Sequence, residues 1–287
     1  MSESTPFRWS EVSGTLLLTL HARALESRSK QPVLKDPKAV EIARALEPVL
    51  RDSPVPIHQR LARGKLPGKL PVTMSLRARA FDRLTTAWLA EHPAGAVVSL
   101  GCGLDSRFER IDDGKARWFE LDLPDVIEVR RRFYAEGPRR KFLARSALDV
   151  SWMEELREFK GQPILILAEG LFMYLDEKSL TALVSALRRE FPGSTLVCEL
   201  ANRWIVERME RPWMRRKFQR QLGIGKEAAF SFGVRDAREL EAWAEGVRLV
   251  HEWSYFDEKE PKLGWFAWFA GLDFIRRLQW TAVYRLG

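Results

Sequence analysis

The segment Val97-Val98-Ser99-Leu100-Gly101-Cys102-Gly103-Leu104-Asp105-Ser106-Arg107 is an apolar run that ends in Gly-x-Gly and leads into a helical pattern. A buried strand that turns into a helix through two glycines is typical of α/β nucleotide-binding proteins. Because glycine has no Cβ, the backbone at Gly101 and Gly103 can come close to a bound nucleotide. The segment therefore predicts the first strand of a parallel sheet, with a cofactor site at its carboxyl end.

Two acidic residues follow at the spacing of an adenosine site. Glu120 and Asp122 lie nineteen and twenty-one positions after Gly101, at the end of a second apolar run. An acid at that place can bond both ribose hydroxyls. Ser106 stands where a pyrophosphate-binding fingerprint has its third glycine, so the pattern favours a single-adenosine cofactor over NAD. For the glycines alone, a tight turn without a ligand is the alternative.

Seven runs rich in apolar and β-branched residues predict strands, and helix-like stretches separate most of them. They are Ala96–Leu100, Arg117–Leu121, Lys141–Arg145, Pro163–Ala168, Ser194–Leu200, Val247–Trp253 and Leu278–Tyr284. Strands that alternate with helices indicate a mostly parallel sheet covered on both faces. Since no clear crossover helix separates the last two runs, we expect a terminal antiparallel pair there.

The helical signals divide the chain into a cap and a sheet domain. Residues 1–93 show helices with proline-rich connections, which predicts an N-terminal cap or lid. Residues 94–287 hold the sheet, with a second helical insertion at about 201–246 that is also a candidate lid. Within the sheet domain, Asp176 is placed to cap a helix over Glu177–Glu190, whose leucines recur at helical spacing.

Composition excludes several classes of protein. The 287 residues are 46% hydrophobic and 30% charged, which allows a sizeable core and excludes a disordered chain. Two cysteines, 96 positions apart, exclude a disulfide scaffold and a four-cysteine zinc site. We see no apolar stretch long enough to span a membrane and no secretory signal, and therefore expect a cytoplasmic protein. The net charge of +8 is dispersed; we expect its basic runs, 130–132, 139–141 and 215–217, to be solvated faces rather than a nucleic-acid site.

Six motifs in this order resemble the leucine carboxyl methyltransferase superfamily of S-adenosylmethionine enzymes, nearest its bacterial branch of tetracenomycin-type polyketide O-methyltransferases. They are Lys35-Asp36-Pro37-Lys38-Ala39, Arg77-Ala78-Arg79-Ala80-Phe81-Asp82, Gly101 to Arg107, Glu120-Leu121-Asp122-Leu123-Pro124, Asp149-Val150-Ser151-Trp152 and Glu169-Gly170-Leu171-Phe172-Met173-Tyr174-Leu175. The resemblance implies an α/β fold: a Rossmann-like, seven-stranded methyltransferase sheet with a reversed terminal strand. S-adenosylmethionine would bind across the carboxyl ends of the first, second and fourth strands.

The resemblance also implies residues for the methionyl and ribose parts of the cofactor. Arg77 would pair with the methionyl carboxylate, for which a guanidinium fork is well suited, with Arg79 and Arg23 as alternatives. Gly101 and Gly103 would leave room for the cofactor. Asp122 would hold the ribose, with Glu120 as a second candidate.

For the adenine edge the resemblance implies Leu148 and Asp149, with Ser146 as the alternative to Asp149. Glu169 would face the amino group or the sulfonium of the cofactor. A cationic ligand is a physical reason to place an acid at the end of a buried strand, because desolvating a lone carboxylate costs several kcal/mol. A helix-capping acid is the alternative for Glu169.

We therefore expect an S-adenosylmethionine-dependent O-methyltransferase that acts on a hydroxyl or carboxyl group of a small, polyketide-like molecule. One alternative is methylation of a macromolecule, either a protein carboxylate or an RNA base. Another is a non-catalytic member of the fold that binds cofactor or nucleic acid. The oligomeric state is open.

The sequence assigns no catalytic base and predicts no metal site, since its four histidines are scattered. Tyr174 is a candidate to reach the methyl acceptor, and packing under the next helix is its alternative. His21 and His58 lie in the predicted cap, where a single histidine could deprotonate a substrate, although an ordinary structural role is the default. Four tryptophans could line an aromatic acceptor pocket or an oligomer surface: Trp204, Trp213, Trp265 and Trp268.

Overall fold

The chain forms a seven-stranded mixed sheet with helices on both faces. A computed structural model describes residues 12–209, 211, 213, 214, 216, 230–264 and 272–287. The strands are β1 (Ala96–Leu100), β2 (Arg117–Asp122), β3 (Arg140–Ala144), β4 (Ile164–Ala168), β5 (Ser194–Ala201), β6 (Val247–Ser254) and β7 (Gln279–Leu286). Their order across the sheet is β3-β2-β1-β4-β5-β7-β6. All neighbours are parallel except that β7 runs antiparallel to β5 and β6.

The α-helices gather before the sheet and between its strands. They include α1 (Val12–Ser27), α2 (Pro37–Arg51), α3 (Pro56–Ala62), α4 (Leu70–Glu91), α5 (Arg107–Ile111), α6 (Pro124–Arg130), α7 (Glu177–Glu190), α8 (Arg203–Met209) and α9 (Asp273–Arg276). Short 3₁₀ helices occupy Val150–Phe159, Phe172–Tyr174 and Ala237–Ala242.

Alternate residues of β1 pack into different parts of the core. Val98 belongs to a cluster with Trp152 and with Leu183 of α7, whereas Val97 packs in a cluster with Phe81 and Trp88 of α4. Because successive side chains of a strand point to opposite faces, α7 and α4 cover the two faces of the sheet. Helices α1, α2 and α3 share a further cluster with the turn that follows β1, so they pack beside the carboxyl end of that strand.

The predicted elements are confirmed closely. Strand β1 has the predicted bounds and the other strands differ by one or two residues at their ends; β6 and β7 form the expected antiparallel pair. Helix α7 has the predicted bounds, and Asp176 caps it by accepting a hydrogen bond of 2.9 Å from the Ser179 N–H. The bounds agree because both signals, apolar runs and an N-cap, are local.

Domain boundaries stay a prediction. Four helices, α1 to α4, lie within the predicted cap. Of the predicted insertion, α8 and the 3₁₀ helix Ala237–Ala242 are described, whereas residues 210, 212, 215 and 217–229 lie outside the described residues, as do Trp265 and Trp268.

Both cysteines are buried free thiols. Within the described ranges, no helix combines the length and apolar character that a membrane crossing requires.

Candidate active site

A cleft of about 410 Å³ opens at the carboxyl ends of β1, β2 and β4. The chain steps outward from β1 to β3 and then returns to β4 on the other side of β1. The crevice thus lies where the strand order reverses, which is the usual ligand site of open α/β sheets. Helix α1 forms one wall, to which it contributes Thr15, Leu16, Thr19 and Arg23. The sheet and the amino-terminal helices therefore build the cleft together.

The Gly-x-Gly turn forms the floor of the cleft. Gly101 and Gly103 have φ angles of +66° and +49°, in the left-handed region that side chains disfavour. Between them, the Cys102 N–H donates to the Leu121 carbonyl at 3.0 Å and ties the turn to β2. A Cβ at Gly101 would stand 3.2 Å from Leu171 Cδ1. Glycine is thus required by the backbone conformation and by the space beside the cleft.

Asp122 lies in the cleft, at the carboxyl end of β2. Its carboxylate accepts hydrogen bonds from the Gly103 N–H at 2.7 Å and the Leu123 N–H at 2.8 Å. Burial raises the pKa of Asp122 above its ordinary value, and the two backbone donors offset part of that effect. No Lys or Arg among the described residues pairs with this carboxylate directly, so it retains lone pairs for hydroxyl donors.

Arg77 and Glu169 meet at the opposite end of the cleft, where α4 passes the end of β4. Arg77 Nε donates to Glu169 Oε1 at 2.8 Å, and Arg107 Nη2 donates to Glu169 Oε2 at 2.6 Å. Burial opposes the charge of Glu169, but the two guanidinium groups outweigh it and hold the pKa of this carboxyl below its ordinary value. Glu169 is therefore an ionised member of an ion-pair network and not a helix cap.

The network extends behind the cleft. Arg107 and Arg110 each contact both Asp82 and Asp105, and Arg110 also contacts Asp36. Asp36 joins it to Arg23 of α1, whose Nη2 donates to the Leu104 carbonyl at 2.9 Å. Buried charges are tolerated when each has opposite charges and hydrogen bonds around it. The network therefore fixes α1, α4 and α5 around the same cleft.

The structure corrects the expectation that Glu120 stands beside Asp122 at the ribose. The Glu120 carboxylate accepts four hydrogen bonds of 2.7–3.1 Å from Arg130 and Arg140 and does not line the cleft. Arg130 in turn donates to the carbonyls of Gly103 at 2.8 Å and Asp105 at 2.9 Å. Two arginines satisfy the carboxylate, so Glu120 supports the glycine turn from behind instead of facing a ligand.

The structure also corrects the expectation for Asp149. Its side chain is exposed and caps the 3₁₀ helix that begins at Val150, accepting from the Ser151 N–H and hydroxyl. The cleft is lined instead by Ser146, Ala147 and Leu148. Ser146 and Leu148 therefore line the cleft and Asp149 does not, and which of them lies along the adenine stays a prediction.

Several other candidates can now be located. Arg23 lines the cleft, whereas Arg79 donates to the Val33 carbonyl and to Glu258 outside it. Tyr174 lines the cleft and stacks edge-to-face on Phe230, with a pKa that burial raises to about 12.

The histidines and the tryptophan candidates that the structure describes do not line the cleft. No histidine lines the cleft in the described part of the chain, and His21 instead contacts the Leu17 carbonyl at 2.9 Å. Trp204 and Trp213 are exposed outside the cleft lining. Residues 12–209, 230–264 and 272–287 contain no group of three or more acidic, histidine or cysteine side chains that could hold a metal ion.

Sequence reasoning gave no role to six residues of the network, which are Asp36, Asp82, Asp105, Arg107, Arg110 and Glu199. Arg107 is the last residue of the glycine segment and Arg110 follows it on α5, so their proximity to the site could have been inferred from the chain. Glu199 is different: it is an acid inside the buried strand β5, and its only signal was a charge within an apolar run. Its partners come from distant parts of the sequence.

The side chains of the cleft fit S-adenosylmethionine. Asp122 offers acceptors to ribose hydroxyls, and the glycine turn leaves room above the backbone. Arg77 Nη2 makes no hydrogen bond within the described ranges and can bind a carboxylate. Glu169 keeps lone pairs for an ammonium group. The cleft thus provides a complementary group for each polar end of the cofactor.

Comparison with known proteins bears on the same conclusion. The leucine carboxyl methyltransferase family model matches residues 17–188. The chain is 31% identical to the tetracenomycin polyketide synthesis O-methyltransferase TcmP of Streptomyces glaucescens, over 87% of this chain and 85% of that protein. It is 27% identical to the S-adenosyl-L-methionine-dependent methyltransferase dpfgK of Gibberella zeae, over 93% of this chain and 89% of that protein.

Among solved structures, a possible exported protein from Bordetella parapertussis superposes with a TM-score of 0.50 at 14% identity and covers 99% of both chains. At that identity the likeness concerns the fold alone.

Proposed function

The chain belongs to the leucine carboxyl methyltransferase family and is an S-adenosylmethionine-dependent methyltransferase, and from this premise we propose that it methylates an oxygen atom, in a hydroxyl or carboxyl group, of a small polyketide-like molecule. The confined cleft between α1 and the strand ends is the observation that carries the choice of a small acceptor. The choice of oxygen rests on TcmP, whose name describes a polyketide O-methyltransferase.

In this proposal the described side chains hold the cofactor along the cleft. Asp122 binds the ribose, Ser146 and Leu148 lie along the adenine, and Arg77 binds the methionyl carboxylate. Glu169 binds the ammonium group while its two arginines keep it ionised. When bound, S-adenosylmethionine supplies a methyl group that is already activated by its sulfonium. The protein therefore has to align the acceptor and exclude water, and it needs at most one general base.

Tyr174 acts on the acceptor as a hydrogen-bond donor in this proposal. Its phenol lines the cleft, and a pKa of about 12 keeps it neutral at physiological pH. A neutral phenol donates a hydrogen bond but removes protons poorly. An acceptor that is acidic in solution, such as a carboxylic acid or a phenol activated by its ring, suits a cleft that has no histidine among its described residues.

Methylation of a nucleic acid receives less support. All six basic residues of the runs 130–132 and 139–141 form ion pairs with acidic side chains of this chain. Arg130 and Arg140 are also buried. Phosphate binding depends on lysines and arginines that are free to displace counterions. The basic side chains of these two runs therefore pair within the protein. Of the third run, 215–217, only Arg216 is described.

The acceptor class is tested by methyl transfer from labelled S-adenosylmethionine. The protein is offered aromatic phenols and carboxylic acids, total RNA, and a peptide with a carboxyl-terminal leucine. We expect label in the small-molecule fraction alone, because the acceptor has to reach a confined cleft of about 410 Å³ that also holds the cofactor. Label found in RNA or peptide but in no small molecule would exclude the proposal.

The site assignment is tested separately by calorimetry with S-adenosylhomocysteine. We expect Asp122→Ala to weaken binding about tenfold, equal to ~1.4 kcal/mol for one lost polar contact. Asp125→Ala is the matched control, since Asp125 is an exposed acid three positions away and does not line the cleft. Equal affinities of wild type and Asp122→Ala would mean that the ribose lies elsewhere.

A further inference from the structure

Glu199 is a buried acid on β5 that stands behind Arg77. Its carboxylate accepts hydrogen bonds from Arg77 Nη1 at 2.9 Å, the Tyr255 hydroxyl at 2.8 Å and Gln279 Nε2 at 2.7 Å. Three donors around one carboxylate suit its ionised form. Burial raises the pKa of Glu199 above its ordinary value, and the Arg77 guanidinium and the Tyr255 hydroxyl offset part of that effect. Arg77 and Gln279 line the cleft, so Glu199 is separated from the cleft by these two side chains.

Glu199 differs from the other acids of the network in its number of cations. Each of the other four contacts two arginines; they are Asp36, Asp82, Asp105 and Glu169. Glu199 contacts Arg77 only, and its other two partners are neutral. Glu199 is thus the acid whose charge the network compensates least.

The network as a whole carries an excess of negative charge. It consists of four arginines and five acids: Arg23, Arg77, Arg107 and Arg110 with Asp36, Asp82, Asp105, Glu169 and Glu199. Four positive and five negative charges leave a net charge of −1. Asp122, which has no cationic partner at contact distance among the described residues, adds a second negative charge to the cleft.

This excess distinguishes the two forms of the cofactor. S-adenosylmethionine carries one net positive charge, from a sulfonium, an ammonium and a carboxylate, whereas the product S-adenosylhomocysteine has lost the sulfonium charge and is neutral. Electrostatic interactions are strong where water is largely excluded. We propose that Glu199 is a specificity-determining residue that makes the cleft prefer the cationic methyl donor to its neutral product.

Once the methyl group is transferred, the cofactor no longer carries the charge that the cleft prefers, and this would help S-adenosylhomocysteine to dissociate. The reaction removes the positive charge that Glu199 stabilises, while the contacts of the ribose and adenine stay the same. The inference rests on the proposed placement of the cofactor beside Arg77. It adds to that proposal a residue that touches neither the cofactor nor the acceptor and acts through charge.

Glu199→Gln removes the charge and can keep the geometry. The glutamine carbonyl oxygen can still accept from Arg77 Nη1. Its amide can donate to the Tyr255 hydroxyl and to the oxygen of Gln279, because a hydroxyl and an amide can both exchange donor and acceptor roles by rotation. The substitution therefore separates the electrostatic role of Glu199 from its role in holding Arg77.

The test compares the dissociation constants of S-adenosylmethionine, S-adenosylhomocysteine and adenosine by calorimetry. For Glu199→Gln we expect the affinity for S-adenosylmethionine to fall about tenfold relative to that for S-adenosylhomocysteine, because the two ligands differ by the sulfonium charge. S-adenosylhomocysteine is the reference, because it shares the ammonium and the carboxylate and any effect of Arg77 on that carboxylate is common to both methionyl ligands; adenosine, which carries neither group, should bind unchanged. Equal changes for the two methionyl ligands, or no change in either, would overturn the inference.

Two further measurements keep the test independent of folding and of the site assignment. Wild-type protein should bind S-adenosylmethionine more tightly than S-adenosylhomocysteine, and the reverse order would contradict the inference even if Glu199→Gln does not fold. Asp112→Asn is the matched control, since it removes a charge that pairs with Arg139 outside the cleft lining. If Asp122→Ala weakens S-adenosylhomocysteine while Glu199→Gln leaves the ratio of the two affinities unchanged, the site assignment holds and only the role of Glu199 fails.

Discussion

At the scale of single residues, Gly101 shows how one position can carry a backbone requirement and a ligand requirement. Its φ of +66° costs a side chain roughly 1 kcal/mol, and a Cβ would press on Leu171 at the cleft. Gly114 has a similar φ of +76°, but a Cβ added there would meet nothing within 4 Å. Comparing substitutions at Gly101 and Gly114 therefore separates the effect of backbone strain from the effect of a side chain beside the cleft.

We expect Gly101→Ala and Gly114→Ala to lower the free energy of unfolding by comparable amounts, about 1 kcal/mol each. Only Gly101→Ala should also weaken S-adenosylhomocysteine binding, because its Cβ lies beside the cleft. Denaturant unfolding and calorimetry on both variants check this. Full binding in Gly101→Ala would show that the glycine turn does not approach the cofactor, and an equal loss of binding in Gly114→Ala would show that the loss in Gly101→Ala is not specific to the turn.

Single acids show where residue-by-residue prediction ends. Glu120 and Asp122 stand two positions apart and both suit a ribose by type and spacing. Arg130 and Arg140, which lie 10 and 20 positions along the chain from Glu120, pair with its carboxylate, whereas Asp122 accepts hydrogen bonds only from backbone donors. The choice between two equivalent acids therefore depends on tertiary partners that no local pattern contains.

At the scale of elements, the sequence predicts both ends of helix α7 because each of its signals is local. Asp176 caps the first turn, and the buried leucines recur on one face. We expect Asp176→Ala to lower the free energy of unfolding by about 1 kcal/mol, since the Ser179 N–H loses its acceptor. Thermal or denaturant unfolding measures this loss.

Lys178→Ala is the control for the helix cap, because Lys178 is exposed in the same turn. A change within about 0.5 kcal/mol is expected there. A similar loss in both variants would mean that the lost stability does not come from the cap.

At the scale of the whole molecule, the ion-pair network joins the amino-terminal helices to the sheet. Asp36 is fully buried and contacts Arg23 of α1 and Arg110 of α5. Burial opposes its charge, but the two arginines outweigh burial and lower the pKa of Asp36 below its ordinary value. Ionised Asp36 therefore stabilises the fold above its unfolded pKa, and this contribution is lost as the pH falls through the lowered folded value.

We expect Asp36→Asn to lower the free energy of unfolding by about 3 kcal/mol near pH 7, because it leaves buried arginine charge without a partner. The difference from wild type should narrow as the pH falls below about 4, because the unfolded wild-type chain then takes up the proton that folded Asp36 still resists. Unfolding curves from pH 7 to pH 3 measure this difference.

Glu41→Gln is the control for Asp36, since Glu41 forms an exposed pair with Lys38 and should cost less than about 0.5 kcal/mol. A constant difference between Asp36→Asn and wild type at every pH would show that packing, and not charge, links α1 to the sheet.

The amino-acid sequence by itself determined the strands, the glycine turn, helix α7 and, through its ordered motifs, the methyltransferase family. These features depend on periodicity, caps and residue types within short windows, so neighbouring residues suffice to specify them. The tertiary structure alone decided that Asp122 and not Glu120 faces the cleft, that Ser146 and not Asp149 lines it, and that Glu199 stands behind Arg77. For Glu120 and Glu199 the outcome depends on arginines that lie 10 to 122 positions away along the chain, because a buried carboxylate takes its role from the cations and donors around it.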